Sequence, residues 1–533
     1  MASETSMTAE LKEDTPTAAP ALRWQRLLLG VAAWVALLAV SACIFKLGIQ
    51  LRRWAWDQTV NMHFLGDATH AYTWGSDSDN VGLFKRYRQI RADFGDQPPM
   101  EYGLDYTPLR LTIVTIWAHW VNQHFDASDQ WDPDKSYAFH RPILMVNAAC
   151  EAAAAAGVVL VLRLMRKTVR GGAAESTRIR DIVGRNLPLA IAALIVWFNP
   201  SLILNDCWPQ WDCWILPFFT FALYFSMRDW WFAAGLMLGI GAMLKGQILF
   251  VAPIFLLWPL FSARWLSAAH VVTGLAMAMT LIAIPWTLTS RGDIIFVSCG
   301  AAVALGVLIY RRRWRSPIFQ LLACAIFIIP VGLTPKLLSG DMSWFILPFK
   351  YGPIKHPDIA TVGTSNLPAI LHEQWGWEAE SPVDLPIAPG HWVEIDLRWL
   401  LTGIYALCLL ICAVAAAVQW RRRSPRFLLA LYAPWVLFFS FLPYLNNRYL
   451  LWGAALFPLL IPLGLGMTLL GMVICLSSCA MLIEIMCRFN SDSDPTLATI
   501  SHGLYPGLGF AVVLIAAIFL YCAANFRQRY RNL

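Results

Sequence analysis

Three carboxylates, Asp77 and Asp79 in Trp74-Gly-Ser-Asp-Ser-Asp79 and Asp105 in Gly103-Leu-Asp-Tyr-Thr-Pro108, lie in a polar stretch that follows the first apolar run of the chain. A carboxylate within hydrogen-bond reach of a hydroxyl is a general base. A second set of side chains is mostly cationic or amide: Gln210 and Asp212 in Pro209-Gln-Trp-Asp212, Lys245 and Gln247 in Leu244-Lys-Gly-Gln247, Lys350 in Phe349-Lys-Tyr-Gly352, and Arg448 in Asn447-Arg-Tyr449. Arg presents paired donors that match a phosphate. Together the two sets suit a reaction in which a base takes a hydroxyl proton while a phosphate leaves. Any one of these residues could equally be loop polarity wetted by solvent. Lys245 and Gln247 are harder to dismiss, because they interrupt a long and almost uncharged run. A charge near a bilayer core costs about 2.5–3.5 kcal/mol on insertion scales, so such a residue is functional or snorkels at a span end.

The elements that must position these residues are membrane helices. The chain is 58% hydrophobic and only 14% charged, with a mean hydropathy of +0.53. Its apolar runs reach the ~20 residues that cross a bilayer, whereas a barrel would show short alternating segments. The net charge of +7 is no nucleic-acid signal, because Lys and Arg cluster at span ends and report topology. The 12 cysteines include no CxxC pair, which argues against a zinc site or a disulfide framework. Cys207 and Cys213, flanking one short polar loop, read as free thiols unless that loop faces an oxidising space. Glu378, Glu380, Asp384, Glu394 and Asp396 crowd a later loop and read as a solvated acidic face, with no metal-ligand spacing.

The expected architecture is an all-α polytopic membrane protein with about 14 spans by the ~20-residue rule. A disordered tail over residues 1–22 precedes a single transmembrane domain over 23–523, and 524–533 form a basic tail. Arg23 and Arg26 put the N-terminus inside, and both termini come out cytoplasmic. Two long segments, 49–141 and 335–396, then fall outside, and the first carries an amphipathic helix from Leu109 to Trp120 suited to lie on the membrane. Gly235 and Gly239 form a small-xxx-small pattern for close helix packing, and Gly464 or Gly466 marks a turn within the run 450–486. Every Arg-rich cluster lands inside, and all the candidate site residues land outside.

The motifs, in their order, resemble those of the C-type superfamily of membrane glycosyltransferases, and most closely the dolichyl-phosphate-glucose-dependent glucosyltransferases that extend a lipid-linked oligosaccharide. The similar stretches are Asp77-Ser-Asp79, Tyr102-Gly-Leu-Asp105-Tyr-Thr-Pro108, Asn199-Pro-Ser, Pro209-Gln-Trp-Asp212, Leu244-Lys-Gly-Gln247, Pro348-Phe-Lys350, Asn366-Leu367 and Arg448-Tyr-Leu450. Thr107 departs from the pattern, standing where the family usually has a proline, and Asn446-Asn447 replaces a His-Glu pair. The resemblance implies inverting transfer of a hexose from a polyprenyl-phosphate sugar to a glycan or lipid-linked acceptor. An Asp of the first outer loop would be the base, with Asp77 the best match, then Asp79, and Asp105 beside them. Gln210, Asp212, Lys245, Gln247, Lys350 and Arg448 would lie about the donor phosphate, with no metal or other cofactor. The departures suggest a bacterial relative, in the plasma membrane and active on its outer face, with the endoplasmic reticulum as the alternative. A lipid-linked polysaccharide polymerase or ligase, or a transporter, remains as another reading.

Overall fold

The computed structural model describes residues 20–59, 65–95, 104–170, 179–287, 343–355, 364–488, 499, 503–504 and 507–525. The chain divides into two compact units at Trp54/Ala55. Helix α1, Pro20–Gln58, accounts for the described part of the first. It runs ten residues past the expected end of the first span, so the expected loop 49–141 begins inside a helix.

In the second unit, α2 (Gly66–Val81), α3 (Leu83–Phe94) and α4 (Pro108–Asn122) precede the long α5 (Ser136–Arg170). Gly82, at φ +93°, makes the bend between α2 and α3. Gly75 lets α2 lie directly on α4, since a Cβ there would stand 2.5 Å from the Val114 carbonyl oxygen. Next come α6 (Ile179–Trp197), the short α7 (Pro200–Cys207), α8 (Ile215–Met227) and α9 (Trp231–Leu244). Asn199 caps α7, accepting from the Ser201 and Leu202 amides. Then α10 (Ile248–Val251), α11 (Pro253–Phe261) and α12 (Trp265–Thr287) complete the first half of the bundle. The Gly235/Gly239 pattern packs as expected: a Cβ on Gly235 would be 2.2 Å from the Val271 carbonyl oxygen, and one on Gly239 2.5 Å from that of Leu275. Gly274 of α12 reciprocates against Phe232.

Two helices, α13 (Ser343–Lys355) and α14 (Leu367–Trp375), precede a hairpin of β1 (Pro382–Ala388) and β2 (His391–Asp396). The chain is predominantly helical, as expected, and this hairpin lies within the expected second loop. Alternating Val383, Leu385 and Ile387, the Pro389-Gly390 turn and Gly390 at φ +77° explain it. Val383 and Leu385 stand opposite Ile395 and Val393, and Val383 packs on Ala379, Leu397 and Leu401. The acidic face is partly paired: Arg398 holds Asp396 at 2.8 Å and Glu380 at 3.3 Å. The chain closes with α15 (Leu397–Arg421), α16 (Arg426–Phe441), α17 (Leu451–Leu456), α18 (Leu465–Arg488) and α19 (Gly507–Ala524). The expected break within 450–486 falls at Gly464, φ +111°, between a 3-10 turn and α18.

The protein is thus a helical membrane protein. Six helices among the described residues are long and apolar enough to cross a membrane, not about 14. Five further apolar helices contribute stretches of 10–17 described residues, one of them the Trp265–Met279 part of α12. Helix α16 is buried along almost its whole length and needs no lipid-facing side. The apolar runs 294–310 and 318–334, which read as two spans in the sequence, lie outside the described residues, as do most of both expected tails.

Contacts among the turns sort them to two ends of the bundle. At one end Arg264 holds Asp229 at 2.7 Å, Arg421 donates to the Phe261 carbonyl at 3.1 Å, and Arg426 donates to that of Asn525 at 2.8 Å. Helix α9 starts at that end and, at about 1.5 Å per residue, carries the chain ~20 Å to Lys245 at the other.

Candidate functional site

At the Lys245 end, segments far apart in sequence converge on one polar cluster. Asp67 sits in the first turn of α2, where the helix dipole favours an anion. It accepts from Arg448 and, at 2.6 Å, from the side-chain amide of Gln210. Arg448 also lies 3.3 Å from Asp212, through its Nε, and Lys245 pairs with the other oxygen of Asp212. Asp212 is fully buried, whereas about a third of the Asp67 side chain is exposed. Burial alone would raise the Asp67 pKa. The charge of Arg448 and the hydrogen bonds from Arg448 and Gln210 outweigh it and hold the carboxyl at about 2.

The scaffold for these groups is itself polar and buried. Asn147 of α5 donates to the Gln210 carbonyl at 2.6 Å and to Asp206 at 2.8 Å, while its oxygen accepts from Trp214. Trp452 donates to the Asp212 carbonyl at 2.7 Å. Asn446 caps the turn that carries Arg448, accepting from its backbone amide, and Asn447 donates to the Met481 carbonyl at 2.9 Å. The Asn446-Asn447 pair thus fixes where Arg448 stands. Tyr449 stacks on Trp452 with ring centroids 5.0 Å apart, and Lys245 lies 4.9 Å from the Tyr449 ring. Gln247 donates to the Tyr449 hydroxyl at 3.3 Å. Thr107, where a proline could not donate, gives its hydroxyl to the Met243 carbonyl at 2.6 Å, tying the start of α4 to the end of α9.

Five of the residues singled out in the sequence therefore meet: Gln210, Asp212, Lys245, Gln247 and Arg448. Asp105 lies close enough for its charge to act on Tyr106 and Lys245. Lys350 is on α13, whose Phe349 ring would stand 3.0 Å from a Cβ on Gly246, beside Lys245; the Lys350 side chain lies outside the described residues. Asp77 and Asp79 are elsewhere. Asp77 pairs with Arg86 at 2.7 Å and Asp79 with His119 at 2.9 Å. Ten residues of helix separate Asp77 from Asp67, a rise of about 15 Å. Asp67 and Arg110 were not singled out in the sequence. The available signal for Asp67 was an acidic residue right after Gly66, at a helix start. Cys207 and Cys213 are both buried.

The chain matches no known protein-family model, and no curated protein is significantly similar to it.

Proposed function

We propose that this protein is an inverting membrane glycosyltransferase that moves a hexose from a polyprenyl-phosphate sugar to a glycan or lipid-linked acceptor. The observation that carries the reading is the Asp67–Arg448 pair, a partly exposed carboxylate bound to the cation best suited to a phosphate. The proposal places the site on the non-cytoplasmic face of a bacterial plasma membrane. It assigns the base to Asp67 rather than to Asp77 or Asp79.

A sugar hydroxyl is a poor nucleophile near neutral pH and needs a positioned base. A donor phosphate entering beside Arg448 competes with Asp67 for the guanidinium. As the phosphate takes the cation, Asp67 loses its partner and its pKa rises toward the range of a working base. Asp67 then takes the proton of the acceptor hydroxyl. The hydroxyl oxygen attacks the anomeric carbon from the face opposite the phosphate, the bond to the phosphate breaks, and the phosphate leaves as an anion held by Arg448. One displacement inverts the anomeric centre. Gln210 holds Asp67 in place, and Asp212 sets Arg448 and Lys245.

Transfer of labelled hexose from a polyprenyl phosphate in liposomes tests this. Asp67→Asn should lower the rate by about 10²–10⁴-fold, the usual worth of a general base. Asp77→Asn should cost far less. Full activity in Asp67→Asn with loss in Asp77→Asn would return the base to Asp77, and no transfer by the intact protein from any such donor would end the reading.

A further inference from the structure

Arg110 has no place in the chemistry above, yet it is a cation buried at the same cluster. It is 8% exposed. Its guanidinium lies over the Tyr106 ring, 3.5 Å from the centroid, and 5.1 Å from the ring of Trp211, the residue between Gln210 and Asp212. Among the described residues no carboxylate pairs with it, and its Nε is buried without a hydrogen-bond partner. The other two cations are matched: Arg448 binds Asp67 and Asp212, and Lys245 binds Asp212. Asp105, five residues before Arg110, adds negative charge nearby without an ion pair to it among the described residues. A buried charge lacking a counter-ion is costly. Its aromatic platform holds the planar guanidinium in one orientation, and Arg binds an oxyanion through two parallel donors.

We propose that Arg110 is a second oxyanion receptor of this site and takes two oxygens of a phosphate or carboxylate on the substrate. Arg448 and Lys245 can bind such a group only by yielding a paired carboxylate; among the described residues Arg110 has no ion pair to yield, though its charge acts on Asp67. This rests on the reading of the site as one for an anionic lipid-linked sugar. The oxyanion is either the phosphate of the lipid donor or the carboxylate of an acidic sugar.

The test uses the full chain in detergent, with dissociation constants measured for undecaprenyl phosphate, undecaprenol, glucuronic acid and glucose. Arg110→Gln should bind one of the two anions roughly 10- to 100-fold more weakly, the usual loss of a charge-assisted pair. The neutral counterpart should bind the variant and the intact protein alike. Loss confined to undecaprenyl phosphate assigns the donor phosphate, and loss confined to glucuronic acid assigns an acidic sugar. Arg110→Lys keeps the charge without the fork and should lose several-fold, which serves if the Gln variant does not fold. Equal affinity of intact and variant proteins for both anions overturns the inference and leaves the proposed function standing. Failure of the intact protein to bind undecaprenyl phosphate removes the donor reading, and the glucuronic acid comparison still decides Arg110.

Discussion

At the scale of single residues, Asp67 is the group whose state controls the rest. Its pKa in the folded protein, about 2, lies below the ordinary 3.8. A carboxyl lowered by folding adds stability above its unfolded pKa and loses it as pH falls through the folded one. The stability gap between the intact protein and Asp67→Asn should therefore be full above about pH 5 and shrink toward pH 2. Thermal unfolding in detergent across that window checks it, and a gap independent of pH would show that Asp67 is not ionised against Arg448. Arg448→Ala should raise the KM for the lipid donor more than that for the acceptor, by the roughly 1.5–3 kcal/mol of a charge-assisted hydrogen bond. The reverse pattern in initial-rate kinetics would move Arg448 to the acceptor side. Lys245 and Arg448 were legible because charge is conspicuous in apolar surroundings. Asp67 was not, since one Asp after a glycine in a polar stretch has no spacing to distinguish it. Arg110 was hidden in a helix that reads as amphipathic.

At the scale of elements, the bundle depends on backbones in direct contact and on a few cross-links between turns. Gly235→Val would drive a side chain into the Val271 carbonyl, only 2.2 Å from its Cβ. Backbone cannot yield as a flexible side chain does, so a loss at or above the usual 1–3 kcal/mol of overpacking (about) is expected. Gly466→Ala meets open space on α18 and should be neutral or gain up to about 1 kcal/mol in helix propensity. Comparing melting temperatures of the two variants separates packing from a general intolerance of side chains at glycine. Thr107→Val leaves the buried Met243 carbonyl without its donor and should cost about 1–3 kcal/mol. The glycine contact on α9 was readable from its four-residue spacing. The hairpin was not, because Pro386 interrupts β1 and a strand containing proline looks like a loop.

At the scale of the whole molecule, apolar runs in the sequence predicted membrane helices, and six of those described are long and apolar enough to cross a membrane; a run of apolar residues does not reveal where proline or a turn ends the helix. Helix α15, at 25 residues, is about 37 Å long and separates Glu394 from Arg422. In a background lacking the exposed Cys43, Glu394→Cys should react with an impermeant maleimide on intact cells. Arg422→Cys should react only after permeabilisation. Labelling of both from the same side would mean that α15 does not cross.

Arg448 meets Asp67 across 381 residues of intervening chain. At the ~5–20 residues per second of synthesis, roughly 20–80 s pass between the emergence of the carboxylate and that of its partner. Through that interval α2 is already made, but its acidic first turn has no guanidinium to hold. A ribosome stalled between the end of α12 and codon 448 would leave a protein with several membrane helices made and the site still open, a species for quality-control proteases to recognise. Assembly of the site is thus also a check that translation passed codon 448.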